Sequence, residues 1–274
     1  MMQPAHHPEL VDPFNQYPLS LGRGFWFNPV NDEKYYINNG IPVFLPEEQM
    51  SGNNLKYSRF YDRISRFYRV SSVFYSWLKG SSEKKIKMKY LEQLQVKPGD
   101  KVLEVAVGSA DNLLYLPRNA SYSGLDISFG MLTMAKRHLR KWDIQAGLYQ
   151  GEAEHLPFAE HSFDVVFHVG GISLFNNSQR AIHEMIRVAK PGGQVMIVDD
   201  NEVTQVRSYH KNPFSPATAT LTDEDQSAPV KLLPNGMRNI EVRYYFDSML
   251  YCLTFRKPDQ IRKPALKSAA DAVR

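Results

Sequence analysis

From Lys101 to Asp200 the chain alternates short apolar segments with amphipathic ones, and few folds accommodate that texture. KVLEVAV (101–107), SYSGLDI (121–127), GLYQGEA (147–153), FDVVFHV (163–169) and QVMIVDD (194–200) read as strands, the first of them buried. Between them the pattern predicts a helix around 111–117, one over 128–142 and one over 177–189, the last stopped by Lys190-Pro191-Gly192-Gly193. Strands and helices at this spacing make βαβ units, whose right-handed crossovers build a mainly parallel sheet. NIEVRYYFD (239–247) and MLYCLTFRK (249–257) add two β runs joined by a tight turn, an antiparallel hairpin at the sheet edge. The expected fold class is therefore α/β: a doubly wound, mainly parallel seven-stranded sheet with an antiparallel edge hairpin, preceded by an N-terminal hairpin or arm and cover helices.

Composition narrows the setting. The 274 residues are 43% hydrophobic and 23% charged, enough for one large elaborated α/β domain or two small ones. The single cysteine, Cys252, excludes an internal disulfide framework and a cysteine-cluster zinc site, and no metal is expected. No apolar run approaches the ~18 residues of a membrane-spanning helix. The opening MMQPAHHPELVDPF lacks a basic stretch followed by an apolar one, so a cytoplasmic protein without a signal peptide is expected. A net charge of +4 does not by itself mark a nucleic-acid binder.

Ahead of the alternating region, residues 1–30 read as a mostly irregular arm. Asn38-Asn39-Gly40 suits a tight hairpin within 35–45, with Pro42 at a strand edge or start. Residues 55–78 read as a helix with Tyr57, Phe60, Tyr61, Ile64, Phe67 and Tyr68 on one face and Arg59, Arg63 and Arg66 on another. A second helix is expected from about Glu83 to Gln95, carrying Lys84, Lys85, Lys87 and Lys89. Residues 208–230 read as a polar loop or cover. The expected organisation is an arm with a short hairpin over 1–54, one domain over 55–257 and a flexible tail over 258–274.

Chemistry concentrates where the strands end. In VLEVAVGSADNL (102–113) a buried strand meets a turn of small residues and then a helical segment, which lets a ligand approach the backbone. A phosphate-binding loop would need Gly-Lys-Ser/Thr, which is absent. A dinucleotide turn would need three spaced glycines, and only Gly108 is present. The acidic residue at the strand end, Glu104, resembles the nucleoside-sulfonium turn of class I methyltransferases, a third reading of such a turn. Asp126 closes the second strand, where a carboxylate can accept both hydroxyls of a ribose. Glu152 closes the third, where an acid can accept from an adenine amino group. His168 to Gly171 end the fourth and line the cleft mouth.

Taken in order, LEVAVGSADNL, GLDIS with Met131-Leu132, GEAEHLPFAEHSFDVV and EMIRVAKPGG resemble the motifs of class I S-adenosylmethionine-dependent methyltransferases, most closely the ubiquinone/menaquinone-biosynthesis type. The resemblance covers roughly 55–200 and, more weakly, 230–257. It implies S-adenosylmethionine as cofactor. Gly108 with Ala106 and Ala110 would floor its methionine and ribose, and Glu104 would help place the ammonium. Asp126 would hold the ribose, with Ile127 and Met131 against the adenine and Glu152 and Ala153 at the adenine edge. The main chain near His168 and Val169 would lie beside the methionine end. Ala110 departs from the usual glycine, Val107 from the usual glycine or cysteine, and Glu152 from the usual aspartate. FNPVNDEKYYINNGIPVFLPEEQ resembles a hairpin found beside zinc-ribbon modules of some methyltransferases and their activator proteins, without the cysteines.

The expected activity is methyl transfer to a small, apolar or aromatic acceptor. His168 is a candidate base and Tyr61 a candidate cleft residue beneath an aromatic cover helix. The basic helix faces keep an RNA methyltransferase in view, and Ala110 with the lack of a clear base keeps a cofactor-binding protein without transfer activity. A nicotinamide oxidoreductase is the remaining alternative.

Overall fold

The computed structural model describes residues 8–64, 83–200, 228–246 and 248–259. The chain opens with β1 (Ser20–Leu21), β2 (Phe25–Phe27), β3 (Lys34–Asn38) and β4 (Ile41–Pro42), which form a four-stranded antiparallel sheet in sequence order. Helices α1 (Gly52–Ile64) and α2 (Glu83–Leu91) follow. The main domain then runs β5 (Lys101–Val105), β6 (Ser121–Asp126), α3 (Phe129–Trp142), β7 (Ala146–Gln150), β8 (Phe163–Val169), α4 (Ser178–Val188), β9 (Ala189–Asp200), β10 (Arg238–Tyr245) and β11 (Leu250–Arg256).

The main sheet has the order β10-β11-β9-β8-β5-β6-β7. Strands β5 to β9 pair in parallel, and β11 lies antiparallel between β9 and β10. The expected mainly parallel seven-stranded sheet with an antiparallel edge hairpin is thus present. Strand order reverses between β5 and β8, so a crevice opens where their carboxyl ends part, the usual ligand position in such sheets. Alternation along the strands feeds two apolar layers. Leu103, Val105, Val166 and Ile197 face α4 (Ala181, Ile182, Met185), whereas Val102, Phe167, Met196 and Val198 face α2 and α3 (Tyr90, Leu132, Ala135). Ser128 caps α3, its Oγ accepting from Met131 N at 3.1 Å, and Asn177 caps α4 through Arg180 N at 2.9 Å.

Three local expectations change. Residues 111–117 do not form an α-helix; Asp111–Tyr115 is a single 3-10 turn. It starts from the left-handed Ala110 and stops at Leu116, which Pro117 holds extended (ψ 159°). The third strand ends at Gln150 rather than Ala153, and the Lys190–Gly193 helix stop lies inside β9, opposite a register shift near Phe163. The arm stays mostly irregular over the described residues 8–30, as expected, but β1 and β2 extend the hairpin into a sheet, their two and three residues being too short for alternation to show in the sequence. The hairpin turn itself is as expected, with Asn39 and Gly40 at φ 48° and 71°. Phe44 N then donates to Gln150 O at 2.8 Å, covering the edge of β7, and Val11 N donates to Pro157 O at 3.1 Å. The second half of the helix expected over 55–78, most of the loop over 208–230 and all but the start of the tail lie outside the described residues.

Candidate functional site

At the end of β5 the backbone turns through three left-handed residues, Ala106 (φ 58°), Gly108 (φ 53°) and Ala110 (φ 61°). A side-chain-bearing residue in that region costs roughly 1–2 kcal/mol, so the turn stores strain at the mouth of the crevice. The two departures from the usual motif turn away from this mouth. Val107 packs down onto β6, where a Cβ on Gly124 would stand 2.8 Å from its Cγ2. Ala110 is 0% exposed, its methyl in the apolar layer with Leu113 and Leu132. What remains at the turn is the small Gly108, beside Met131.

Asp126, at the end of β6, ties three loops together. Its Oδ2 accepts from Gly108 N at 2.7 Å, its Oδ1 from Ser128 N at 2.9 Å, and its carbonyl from Gly151 N at 3.1 Å. Burial, helped by the Asp62 charge, pushes its pKa up to about 6 against the backbone amides of Ser128, Gly108 and Ile127 that favour the carboxylate, which leaves it mostly ionised at neutral pH.

Glu104 is almost wholly buried. Its Oε1 accepts from Asn112 Nδ2 at 2.6 Å, and Oε2 has no partner. Burial pushes its pKa up to about 8, opposed by Asn112 and Lys87. A raised carboxyl contributes stability below its unfolded pKa that is lost as pH rises through the folded value. The expected result is that Glu104→Gln gains stability relative to wild type, on the order of a few kcal/mol, between pH about 4.5 and about 8. Chemical denaturation of both proteins at the two ends of that window checks this; a constant difference would refute it.

On the other side of the crevice, Glu152 accepts from Asn54 Nδ2 at 2.9 Å and shares a 2.5 Å bond with His155 Nδ1. Asn54 belongs to a polar stripe on α1 that the sequence reading passed over in favour of the aromatic and arginine faces. Asn54 also reaches Glu154 (3.3 Å), Ser58 Oγ donates to Ile127 O (3.4 Å), and Asp62 accepts from Gly130 N (2.8 Å) and from Ser128 Oγ. Spacing of four places all three on one helix face, and they stitch α1 across the loops after β6 and β7. Tyr61 lies half-buried on the same helix, edge-on to Phe60.

His168 is fully buried, with Nδ1 2.9 Å from Val105 O and its ring 5.1 Å from Phe175. A carbonyl partner requires the proton on Nδ1, which leaves Nε2 as a lone pair without a partner. Burial pushes the pKa down to about 4, so the ring is neutral. Asp199, ending β9, accepts from Gly171 N (3.0 Å) and Ile172 N (2.8 Å) and fixes the loop after β8. The loop before β8 is held from α4. Glu184 accepts from Leu156 N (2.9 Å) and from Arg187 Nε (2.7 Å), and Arg187 donates to the carbonyls of Phe158 (2.8 Å) and Leu156 (2.9 Å).

Glu104, Ala106, Gly108, Ala110, Asp126, Ile127, Met131, Glu152, Ala153, His168 and Val169 therefore all gather at the carboxyl ends of β5 to β8. They do not share one face. The β5–β8 register pairs Val105 with His168 and Glu104 with Phe167, so Glu104 and His168 point to opposite sides of the sheet.

Residues 103–197 match the family described as "Methyltransferase domain". Over these residues the chain is similar to a methyltransferase domain. Its four ordered segments lie almost entirely within the matched region. A demethylmenaquinone methyltransferase of Bacillus cytotoxicus is 32% identical over 151 residues, covering 53% of this chain and 62% of that protein. A ubiquinone/menaquinone biosynthesis C-methyltransferase of Stenotrophomonas maltophilia is 36% identical over 150 residues, covering 51% and 59%. The chain thus spans about three-fifths of the length of the curated relatives it matches. Among solved structures, the cyclase SpnF superposes with a TM-score of 0.59 at 16% identity, covering 81% of this chain and all of that one. A SAM-dependent methyltransferase of Thermotoga maritima gives 0.53 at 19% identity, covering 75% of this chain and all of that one. At such identities the likeness concerns the methyltransferase fold. Among the described residues, no helix is long and apolar enough to cross a membrane.

Proposed function

We propose that this protein transfers a methyl group from S-adenosylmethionine to a small-molecule acceptor, and that the acceptor is a reduced quinone methylated at a ring carbon. The observation that carries the reading is the Asp126 carboxylate, bound to Gly108 N at the reversal point of the sheet. Each of its oxygens accepts one amide bond and keeps capacity for a ribose hydroxyl. The donor set suits the cofactor elsewhere too. Glu104 Oε2, buried and without a partner, would accept from a cationic group or a water bound to it once the carboxyl is ionised. Glu152 with Ala153 would meet the adenine edge, Ile127 and Met131 would flank the ring, and the main chain of His168 and Val169 would lie beside the methionine end.

The bound sulfonium supplies a methyl group already activated by its positive charge. The protein's contribution is position: holding acceptor and donor near contact distance is worth up to ~7–11 kcal/mol. The turn and Asp126 fix the nucleoside, while α1, stitched down through Asn54, Ser58 and Asp62, excludes water. His168 would take part only as a hydrogen-bond acceptor at Nε2 for the acceptor's hydroxyl, since Nδ1 keeps its own proton on Val105 O and burial holds the ring a weak base. That bond would send electron density from a quinol oxygen into the ring; a ring carbon would take the methyl group as its bond to the donor sulfur breaks, and would then release its own hydrogen as a proton to restore the quinol. The acceptor class follows the relatives, one a demethylmenaquinone methyltransferase and the other a C-methyltransferase of ubiquinone and menaquinone biosynthesis.

The test uses methyl-labelled S-adenosylmethionine with a demethylated quinol in one reaction and total RNA in another. The expected result is a labelled quinol of one added methyl mass. Label in RNA alone would overturn the small-molecule reading, and cofactor binding without label in any acceptor would support a protein that binds but does not transfer.

A further inference from the structure

The buried carboxylate of Glu104 is not held by the turn that carries it. It is reached through a chain of side chains that begins on helix α2, ahead of the matched methyltransferase region. Tyr90 OH donates to Asn112 Oδ1 at 3.0 Å, and Asn112 Nδ2 donates to Glu104 Oε1 at 2.6 Å. Each member is less than a tenth exposed: Tyr90 4%, Asn112 8%, Glu104 1%. An amide has two ends that differ in kind, one accepting and one donating. The phenol's donation therefore decides which end of Asn112 faces Glu104. With Oδ1 taken by Tyr90, the donor end points at Oε1, and Oε2 is left buried without a partner.

We propose that Tyr90 is a positioning residue for cofactor binding, acting through Asn112 to hold Glu104 with one oxygen presented to the cationic end of S-adenosylmethionine. The inference rests on the cofactor reading above and adds to it a residue on α2. The groups around Glu104 come from three elements. Lys87 stands on α2, Asp111 follows the turn and Asp126 ends β6. Lys87 Nζ lies 3.7 Å from Asp111 Oδ2, and Lys87 favours the ionised carboxylate while the two aspartates oppose it. Tyr90→Phe keeps the ring in the apolar layer and all three of these charges in place. It removes only the hydroxyl, so Asn112 can turn its oxygen toward Glu104.

The expected phenotype is a specific one. S-adenosylmethionine affinity in the wild type rises with pH as Glu104 ionises, toward about pH 8. Tyr90→Phe should weaken binding at neutral pH by about tenfold and displace that rise to higher pH. A residue that merely packs α2 would lower the melting temperature without moving the pH profile. In the Glu104→Gln background, adding Tyr90→Phe should cost no further affinity, because the two act as one unit.

The test is isothermal titration of S-adenosylmethionine into wild type, Tyr90→Phe, Glu104→Gln and the double variant across pH 6 to 9. Asn112→Ser breaks the chain in its middle and must give the same displacement, which keeps the inference testable if Tyr90→Phe folds poorly. Non-additive losses with a displaced pH profile support the proposal. Wild-type binding with an unmoved profile in both Tyr90→Phe and Asn112→Ser, or additive losses, overturns it while leaving the cofactor reading intact. No binding by the folded wild type overturns both.

Discussion

Asp126→Ala is expected to weaken S-adenosylmethionine binding by about a hundredfold or more while the protein stays folded. Hydrogen bonds to a charged group contribute roughly 1.5–3 kcal/mol each, and two ribose hydroxyls are proposed to bind this carboxylate. At about 1.4 kcal/mol for each factor of ten, their loss alone gives that magnitude. The substitution also releases Gly108 N and Ser128 N, loosening the turn and the start of α3. Asp126→Asn should not rescue binding. Amide protons approach both oxygens of Asp126, so an asparagine must set its own amino group against one of them. Titration calorimetry with circular dichroism as a folding control checks both variants; an asparagine variant that binds like wild type would contradict the two-sided geometry.

The largest effect on stability is expected at Arg187. Its guanidinium donates to Glu184 and to the carbonyls of Leu156 and Phe158, with side-chain exposures of 14% for Arg187 and 6% for Glu184. Arg187→Ala leaves Glu184 buried without its counter-charge and two loop carbonyls without a donor. Removing one partner of such a pair costs about 3–5 kcal/mol. Urea denaturation should show that loss. The double variant Arg187→Met with Glu184→Leu should recover much of it, since an apolar replacement of both partners avoids the unpaired charge. The held loop, Leu156 to Phe158, also receives the N-terminal arm through Val11 N, so the arm should become protease-sensitive in Arg187→Ala. If Arg187→Ala melts like wild type, the clamp contributes nothing.

The Glu184–Arg187 clamp shows what the motifs in the sequence encode. EMIRVAKPGG and GEAEHLPF sit far apart in the chain and were legible as family segments, but their mutual contact was not. The sheet was readable because its strands are continuous apolar runs, and the carboxyl-end position of Glu104, Asp126 and Glu152 followed from strand ends alone. Three kinds of feature were not readable. The N-terminal strands are too short for period-two alternation, so the arm looked irregular. Residues 111–117 carry helical composition, but the left-handed Ala110 and Pro117 leave room only for a 3-10 turn. Side-chain orientation across strands depends on register: that Glu104 and His168 face opposite sides follows from the pairing of Val105 with His168. The stripe of Asn54, Ser58 and Asp62 was visible as a spacing of four, yet its meaning depends on which loops α1 crosses. That Val107 turns down toward Gly124 and Ala110 into the core is set by the turn's backbone and was not readable from their departures from the usual motif.

A crystal structure of the protein grown with S-adenosylmethionine tests the central claim most directly. The account predicts the cofactor at the crevice over the carboxyl ends of β5 to β8, its ribose hydroxyls within hydrogen-bond distance of Asp126 and its adenine beside Glu152. Electron density for the cofactor at any other place, or an Asp126 still bonded to Gly108 with no ribose upon it, would contradict the account.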